Sequence, residues 1–210
     1  MGAFKHQLQP DSCFDRWASR YDFGLLQRLL FDPIHAAVVE AWPEPAAPPS
    51  QVLDLGCGTG RLLERAGRRW PTARCVGLDL SQPMLDQARA RFQGQPRFEL
   101  VQGDSASLPF AAESFDAVLS TASLHHWSDA AAGLAEARRV LKPLGRLILA
   151  DFDLPWAALL VPLMNRLDHA RFRSLPELRS LLLAAGLRLE SERRLRAVAP
   201  VQVFVAARTP

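Results

Sequence analysis

Glycine occupies every second position of Gly56-Cys57-Gly58-Thr59-Gly60, directly after the apolar run Val52-Leu53-Asp54-Leu55. Such a run suits a strand buried on both faces. Alternating glycines at its end let the backbone turn sharply and approach a ligand with no Cβ in the way. The spacing is GxGxG. Dinucleotide sites use GxGxxG, and phosphate loops need a Gly-Lys-Ser/Thr that is absent here. Two further carboxylates close later apolar runs: Asp79 after Arg74 to Leu78, and Asp104 in Gly103-Asp104-Ser105. In open α/β sheets ligands lie beyond the carboxyl ends of the strands, and an acid at the second strand end suits vicinal ribose hydroxyls. An acceptor at the third can take the exocyclic amine of an adenine. The array suits a ligand with an amine, a ribose and an adenine but no phosphate. Each carboxylate also has a structural reading. Asp54 can satisfy loop N–H groups, Asp79 can sit at a helix N-terminus, and Asp104 can form a turn.

A second group of reactive residues follows the fourth strand, in Thr121-Ala122-Ser123-Leu124-His125-His126-Trp127. Both histidines can titrate near neutral pH. One is expected to contact or deprotonate an acceptor; the alternative is a turn histidine that bonds backbone. No metal site is expected, because two adjacent histidines lack further ligands and Cys13, Cys57 and Cys75 show no CxxC spacing. Three cysteines in this pattern also give no disulfide framework and fit a reducing compartment.

The elements that must position these groups alternate. Phe14, Trp17, Ala18 and Tyr21 form one helical face, and Ile34, Ala37, Val38 and Ala41 another, with Asp32 as N-cap and Pro33 at the first helical position. The proline-rich 43–49 breaks the pattern. Strands are expected at 52–55, 74–80, 98–101, 115–120 and 147–152, with helices over 61–70 and from Ser81 to Phe92. A further helix is capped by Ser128 and striped by Ala130, Leu134, Ala137 and Leu141. After an irregular apolar insertion, 154–174, comes a helix with Pro176 in its first turn and Gly186 as its stop. Strands 187–195 and 201–207 close the chain. Alternating strands and helices predict an α/β domain with a mostly parallel sheet, and the last pair predicts one antiparallel hairpin at its edge.

The chain has 210 residues, 49% hydrophobic and 22% charged, which predicts one folded domain and excludes a disordered chain. Residues 1–48 are read as a helical cap, 51–153 as the ligand-binding half, 154–174 as a lid, and 175–210 as a terminal helix and strand pair. The net charge of +3 comes almost wholly from arginines, dispersed apart from Arg188 to Arg196, with Lys5 and Lys142 the only lysines. That dispersal argues against a nucleic-acid partner. The polar start, Met1 to Asp11, reads as no secretory signal, and the longest apolar run, Leu154 to Met164, holds two prolines and is too short to span a membrane. A soluble, cytoplasmic protein is expected, monomer or homodimer.

Taken in order, these motifs resemble those of the class I S-adenosylmethionine-dependent methyltransferases. The similarity is strongest to the type 11 group, which includes the ubiquinone/menaquinone C-methyltransferases. The residues that carry it are Phe14 to Asp22, the VLDLGCGTG loop, Gly77-Leu78-Asp79-Leu80-Ser81 and Gly103-Asp104. Leu108-Pro109-Phe110, Ser114-Phe115-Asp116, Leu124-His125-His126-Trp127 and Arg139-Val140-Leu141-Lys142-Pro143 complete the set. The resemblance implies a Rossmann-like sheet of seven strands in the order 3-2-1-4-5-7-6, with helices on both faces. It also implies S-adenosyl-L-methionine as cofactor, S-adenosyl-L-homocysteine as its product, and a small-molecule acceptor methylated by in-line displacement.

By that resemblance Gly56 and Gly58 contact the methionine moiety, with Cys57 in the same loop and Asp54 near the amino group. Asp79 binds the ribose. Leu80 and Met84 flank the adenine, Met84 being otherwise core filler, while Asp104 and the Ser105 backbone read its edge. Thr121 faces the methyl position. Tyr21 either reaches the methionine carboxylate or packs with Phe14 and Trp17. The catalytic candidates are His125 and His126. The family's usual Lys-Pro-Gly-Gly turn is altered, because Leu144 replaces its first glycine. The lack of an Asn/Asp-Pro-Pro-Tyr segment after strand four argues against methylation of nucleic-acid bases. Other readings from the same residues are a relative that binds this cofactor for another reaction, such as synthesis of a carboxyl-modified cofactor, and a catalytically silent binder.

Overall fold

The computed structural model describes residues 29, 31–43, 47–153, 171–196 and 200–209. Tyr21, Cys13, most of the expected cap and the 154–170 part of the expected lid lie outside the described residues.

The described elements are α1 (Asp32–Glu40), β1 (Gln51–Leu55), α2 (Arg61–Arg69), β2 (Arg74–Asp79), α3 (Gln82–Arg91), β3 (Phe98–Gln102) and β4 (Phe115–Thr121). A 3-10 turn (Leu124–His126), α4 (Ala130–Val140), β5 (Leu141–Phe152), α5 (Leu175–Ala184), β6 (Leu187–Arg196) and β7 (Pro200–Arg208) follow. The sheet has seven strands in the order β3-β2-β1-β4-β5-β7-β6, as the resemblance implies. Pairings from β3 across to β5 are parallel, and β7 runs antiparallel to both β5 and β6. The strand order therefore reverses between β1 and β4, where parallel α/β sheets open a crevice.

Strand alternation splits the core into two layers. Val52, Ala117, Leu119, Ile148, Ala150 and Val203 face α1, α2 and α3, where Ile34, Val38, Leu63 and Trp70 are buried. Leu53, Val118, Leu147, Leu149 and Phe204 face α4 and α5 through Leu134, Ala137, Leu178 and Leu182. Burial on both faces explains why the central strands read as near-continuous apolar runs.

Two expected helix caps are corrected. Asp32 is the first residue of α1 and caps nothing; the N-cap is Phe31, with no side-chain bond, and Asp32 pairs instead with Arg61 at 3.0 Å. The N-cap of α4 is Asp129, whose Oδ1 accepts from the Ala131 and Ala132 N–H groups. Ser128 turns its hydroxyl to Asp104. The carboxylate can take two orphan N–H groups at once, and so wins the cap from the adjacent hydroxyl. The cap expected at Ser81 is present: its Oγ accepts from the Met84 N–H.

The altered turn before the fifth strand is absorbed simply. Leu144 keeps a negative φ and is 86% exposed, so no glycine is required there. Gly145 is the position without room, since a Cβ would lie 2.9 Å from the Asp116 carbonyl oxygen. The strand also begins earlier than expected, at Leu141.

Candidate active site

The β1–α2 loop turns on three left-handed glycines, with φ of +71° at Gly56, +53° at Gly58 and +83° at Gly60. A Cβ on Gly56 would lie 1.8 Å from the Ser123 Oγ, so this glycine lets the β4 loop close over the β1 loop. A Cβ on Gly58 would meet nothing within 4 Å, so the loop presents bare backbone to open space there. The Gly56 and Cys57 N–H groups donate to the Leu78 carbonyl oxygen. Asp79 fixes the same loop from β2: its Oδ2 accepts from the Gly58 N–H at 2.7 Å and its Oδ1 from the Ser81 N–H at 2.9 Å. Cys57 is buried. Desolvation, then the charges of Asp79 and Asp54, push its thiol well above the usual range, so it supplies no thiolate.

Asp54 is 1% exposed and its Oδ2 has no hydrogen-bond partner among the described residues. Burial first, and the nearby Asp79 second, raise its carboxyl to about 8. Thr121 Oγ1, at the end of β4, and Gln202 Oε1, on β7 opposite Asp151, are likewise buried and unpartnered. A buried polar atom without a partner costs about 1–3 kcal/mol. All three orphans lie at the carboxyl edge of β1, β4 and β5, where a polar ligand would satisfy them.

Asp104 folds back on its own turn. Its Oδ1 accepts from the Ala106 N–H at 2.9 Å, and both oxygens accept from the Ser128 hydroxyl. The turn expected of this aspartate is thus present, and it leaves the carboxylate at the end of β3. Ser105 is buried. Leu80 is half exposed, whereas Met84 is only 4% exposed.

The second half of the site hangs on β4 and β5. Ala122 takes φ +48°, a left-handed conformation unusual for alanine, with its N–H bonded to the Ala150 carbonyl. That reversal returns the following 3-10 turn over the end of β5. There the His125 Nδ1 lies 2.7 Å from Asp151 Oδ1, while Asp151 Oδ2 accepts from the His125 backbone N–H at 3.1 Å. Both side chains are buried. Phe172 stacks on the His125 ring at 4.5 Å and 19°. Asp151 also accepts from the Phe152 N–H. A carboxylate on Nδ1 orients the ring and suits the tautomer with its N–H there and its lone pair on Nε2. His126 packs its ring 4.1 Å from that of His125. Although the residue keeps an exposed surface, desolvation of the ring and then His125 press its pKa down to about 4, against the pull of Asp151.

Sequence reasoning singled out the loop, Asp54, Asp79, Asp104, Thr121 and both histidines, and the fold gathers all of them on one sheet edge. It missed Asp151. The available signal was an aspartate ending the fifth strand's apolar run, the same pattern that marked Asp79.

Residues 53–149 match the family described as methyltransferase domain. The chain is 41% identical over 117 residues to an uncharacterized 37.1 kDa protein in a transposon of Streptomyces fradiae, covering 55% of this chain and 33% of that one. It is 35% identical over 159 residues to the ubiquinone/menaquinone biosynthesis C-methyltransferase UbiE of Desulfotalea psychrophila, covering 74% of this chain and 63% of that one. The chain thus spans less than two thirds of either relative's length. Among solved structures, one from the complex of the Haloferax volcanii Trm112 methyltransferase activator with a methyltransferase superposes with a TM-score of 0.81 at 23% identity, over 96% of this chain and 100% of that one. Residues 53–149 of this chain thus form a methyltransferase domain, and over it the chain is similar to the class I methyltransferases of the type 11 kind.

Proposed function

We propose that this protein transfers a methyl group from S-adenosyl-L-methionine to a small-molecule acceptor, with His125 as the base that readies the acceptor. The observation that carries the reading is the buried, unpartnered Asp54 oxygen beside a glycine that opens onto space. The donor set suits the cofactor's polar groups. Asp54 offers an acceptor to an amino group, the Gly56–Gly58 backbone can approach without side chains, Asp79 offers lone pairs to vicinal hydroxyls, and Asp104 with Ser105 stands where an adenine edge would be read. When bound, the cofactor supplies an electrophilic methyl on a sulfonium whose leaving group departs neutral and needs no acid.

The chain's own residues do the rest. Thr121 and the Ser123–His126 turn face the seam between the β1 and β4 loops. Asp151 holds His125 in the tautomer that can accept a proton at Nε2. Phe172 and Phe152 pack around that ring and exclude water from it. Much of the rate enhancement then comes from alignment in a water-poor pocket. A base implies an acceptor with a proton to lose. A phenol or enol suits both this base and the C-methylation named for the second relative, because the charge left on oxygen is shared with carbon.

Titration calorimetry with S-adenosylhomocysteine tests the binding half. Saturable binding by the wild type and its loss in Asp79→Ala are expected; no binding by the wild type would overturn the reading. Release of label from methyl-labelled cofactor, with a metabolite extract as acceptor pool, tests the chemistry. His125→Ala should lose turnover, and His126→Gln should leave the rate profile between pH 5 and 8 unchanged, since His126 is neutral above about 4.

A further inference from the structure

One buried polar atom at the carboxyl edge of the sheet is left unused by the proposed cofactor set. Gln202, near the start of β7, is 5% exposed, and its Oε1 has no hydrogen-bond partner among the described residues. Its Nε2 donates to Asp153 Oδ2 at 3.2 Å. That bond settles which end of the amide is which, because a carboxylate accepts and cannot donate. The Arg194 guanidinium of β6 lies 3.5 Å from the same Asp153 oxygen, and the Asp153 N–H donates to the Pro200 carbonyl oxygen at 2.9 Å. The amide is therefore anchored by its nitrogen, and its carbonyl oxygen is held away from any partner of its own.

Strand alternation says what that oxygen lies beside. Val201 and Val203 face α1 to α3, so Gln202 faces the other way, with Phe204 and Leu149. Gln202 pairs with Asp151 across β7 and β5. Opposed residues in an antiparallel pair share a face, with Cβ atoms about 5 Å apart. Asp151 is the residue that meets His125 Nδ1 at 2.7 Å. The bond from Nε2 to Asp153, just past the end of β5, carries the amide toward the carboxyl edge and away from the buried Phe204. Asp54 stands on the opposite face, with Val52. It is also three strands distant through β4 and β5, about 14 Å at the usual strand spacing. A group bound at Asp54 does not reach Gln202, whereas one that meets His125 is a single side chain away.

We propose, resting on the methyl-transfer reading above, that Gln202 is a specificity residue for the acceptor. Its Oε1 takes a hydrogen bond from an O–H or N–H that the acceptor carries in addition to the group readied at His125. An amide oxygen only accepts, so an ether or a ketone at that place leaves it unmet. A site built around a buried acceptor discriminates strongly, since the wrong compound strands that acceptor without water. The substrate class is thus a small molecule with two donors, of which one is methylated or loses its proton and the other stays intact.

Methyl-labelled cofactor and a metabolite extract identify the acceptor, by mass spectrometry, as the compound that takes up label. It should carry a second O–H or N–H. The wild type should turn it over at least tenfold faster in kcat/KM than the same compound with that second donor capped by a methyl group. Gln202→Met, of similar shape, should turn over the two alike, and a steric effect of the cap would persist in it. The variant should bind S-adenosylhomocysteine as the wild type does and melt no lower, because it removes an unmet acceptor; a purely structural glutamine would lose stability. An acceptor with a single donor would overturn the proposal. So would equal wild-type rates on the two compounds, discrimination that survives in Gln202→Met, or a variant that loses melting temperature and cofactor binding together. These results leave the methyl-transfer reading standing. No uptake of label by the wild type strikes that reading, and this proposal with it.

Discussion

Replacing Asp54 by asparagine keeps the side chain's size and removes its titration. In the folded chain this carboxyl is raised from 3.8 to about 8, by burial and then by Asp79. In the unfolded chain it returns to about 3.9. Between those values the folded chain holds a proton that the unfolded chain has released, so wild-type stability falls as pH rises through the window. Each pH unit inside it is worth about 1.4 kcal/mol. From pH 5 to pH 8 the wild type should therefore lose on the order of 4 kcal/mol that Asp54→Asn retains, roughly 8–16 °C in melting temperature for a chain of this size. Melting both proteins at pH 5, 6, 7 and 8 and constant ionic strength isolates this group and its coupling to Asp79, because titrations away from it are common to the pair. The expected result is a gap that widens toward alkaline pH in favour of the variant. A constant gap, or one that widens toward acid pH, would refute the assignment of Asp54 as a buried neutral carboxyl. Adding S-adenosylhomocysteine at pH 8 should recover the wild type, since an ammonium beside Asp54 favours its ionised form. Asp54→Asn should gain far less.

Three other perturbations have expected outcomes. Gly58→Ala places its Cβ in open space at φ +53°, so it should cost only about 1–2 kcal/mol in melting while abolishing cofactor binding; Gly56→Ala, which would strike Ser123, should fail in both measurements. Asp151→Asn removes the carboxylate that orients the His125 ring and should lower kcat by about 10²-fold or more, leaving calorimetric binding of S-adenosylhomocysteine unchanged; wild-type turnover would remove the pair from the mechanism. Gly145→Ala meets the Asp116 carbonyl and should destabilise by about 1–3 kcal/mol in denaturant titration, whereas Leu144→Gly, at an exposed side chain, should cost about 1 kcal/mol or less.

What the sequence disclosed and what it withheld follow from the range of the interactions. The loop, Asp79 and the Ser81 cap are local patterns within a few residues of a strand end, and they were legible. The caps at Asp32 and Ser128 were misplaced because each of these side chains has a distant partner, Arg61 and Asp104 respectively, and an adjacent residue stands at the cap position. The pairing of His125 with Asp151 joins residues 26 positions apart. It exists only because β4 and β5 are parallel neighbours, and periodicity along the chain carries no trace of that adjacency. The strand order itself came from resemblance to a family, since local pattern identifies strands without ordering them. Leu144 raised a doubt about the turn that its negative φ and exposure remove.

The reversal of strand order between β1 and β4 explains why the two halves of the chemistry meet where they do. Connections from β1 and β2 lead away toward β3, and those from β4 and β5 lead the other way, so the loops diverge and leave the strand ends uncovered between them. Asp54, Asp79 and Asp104 come from one side of that seam, and Thr121, His125 and Asp151 from the other. Asp54 and Thr121 hold two of the buried unpartnered polar atoms, and their strands β1 and β4 pair directly. A sheet without the reversal would cover both atoms with consecutive loops and satisfy them internally. Their unmet hydrogen bonds are thus a consequence of topology. They leave on the seam a site where a polar ligand held by the first three strands would face the His125–Asp151 pair held by the next two.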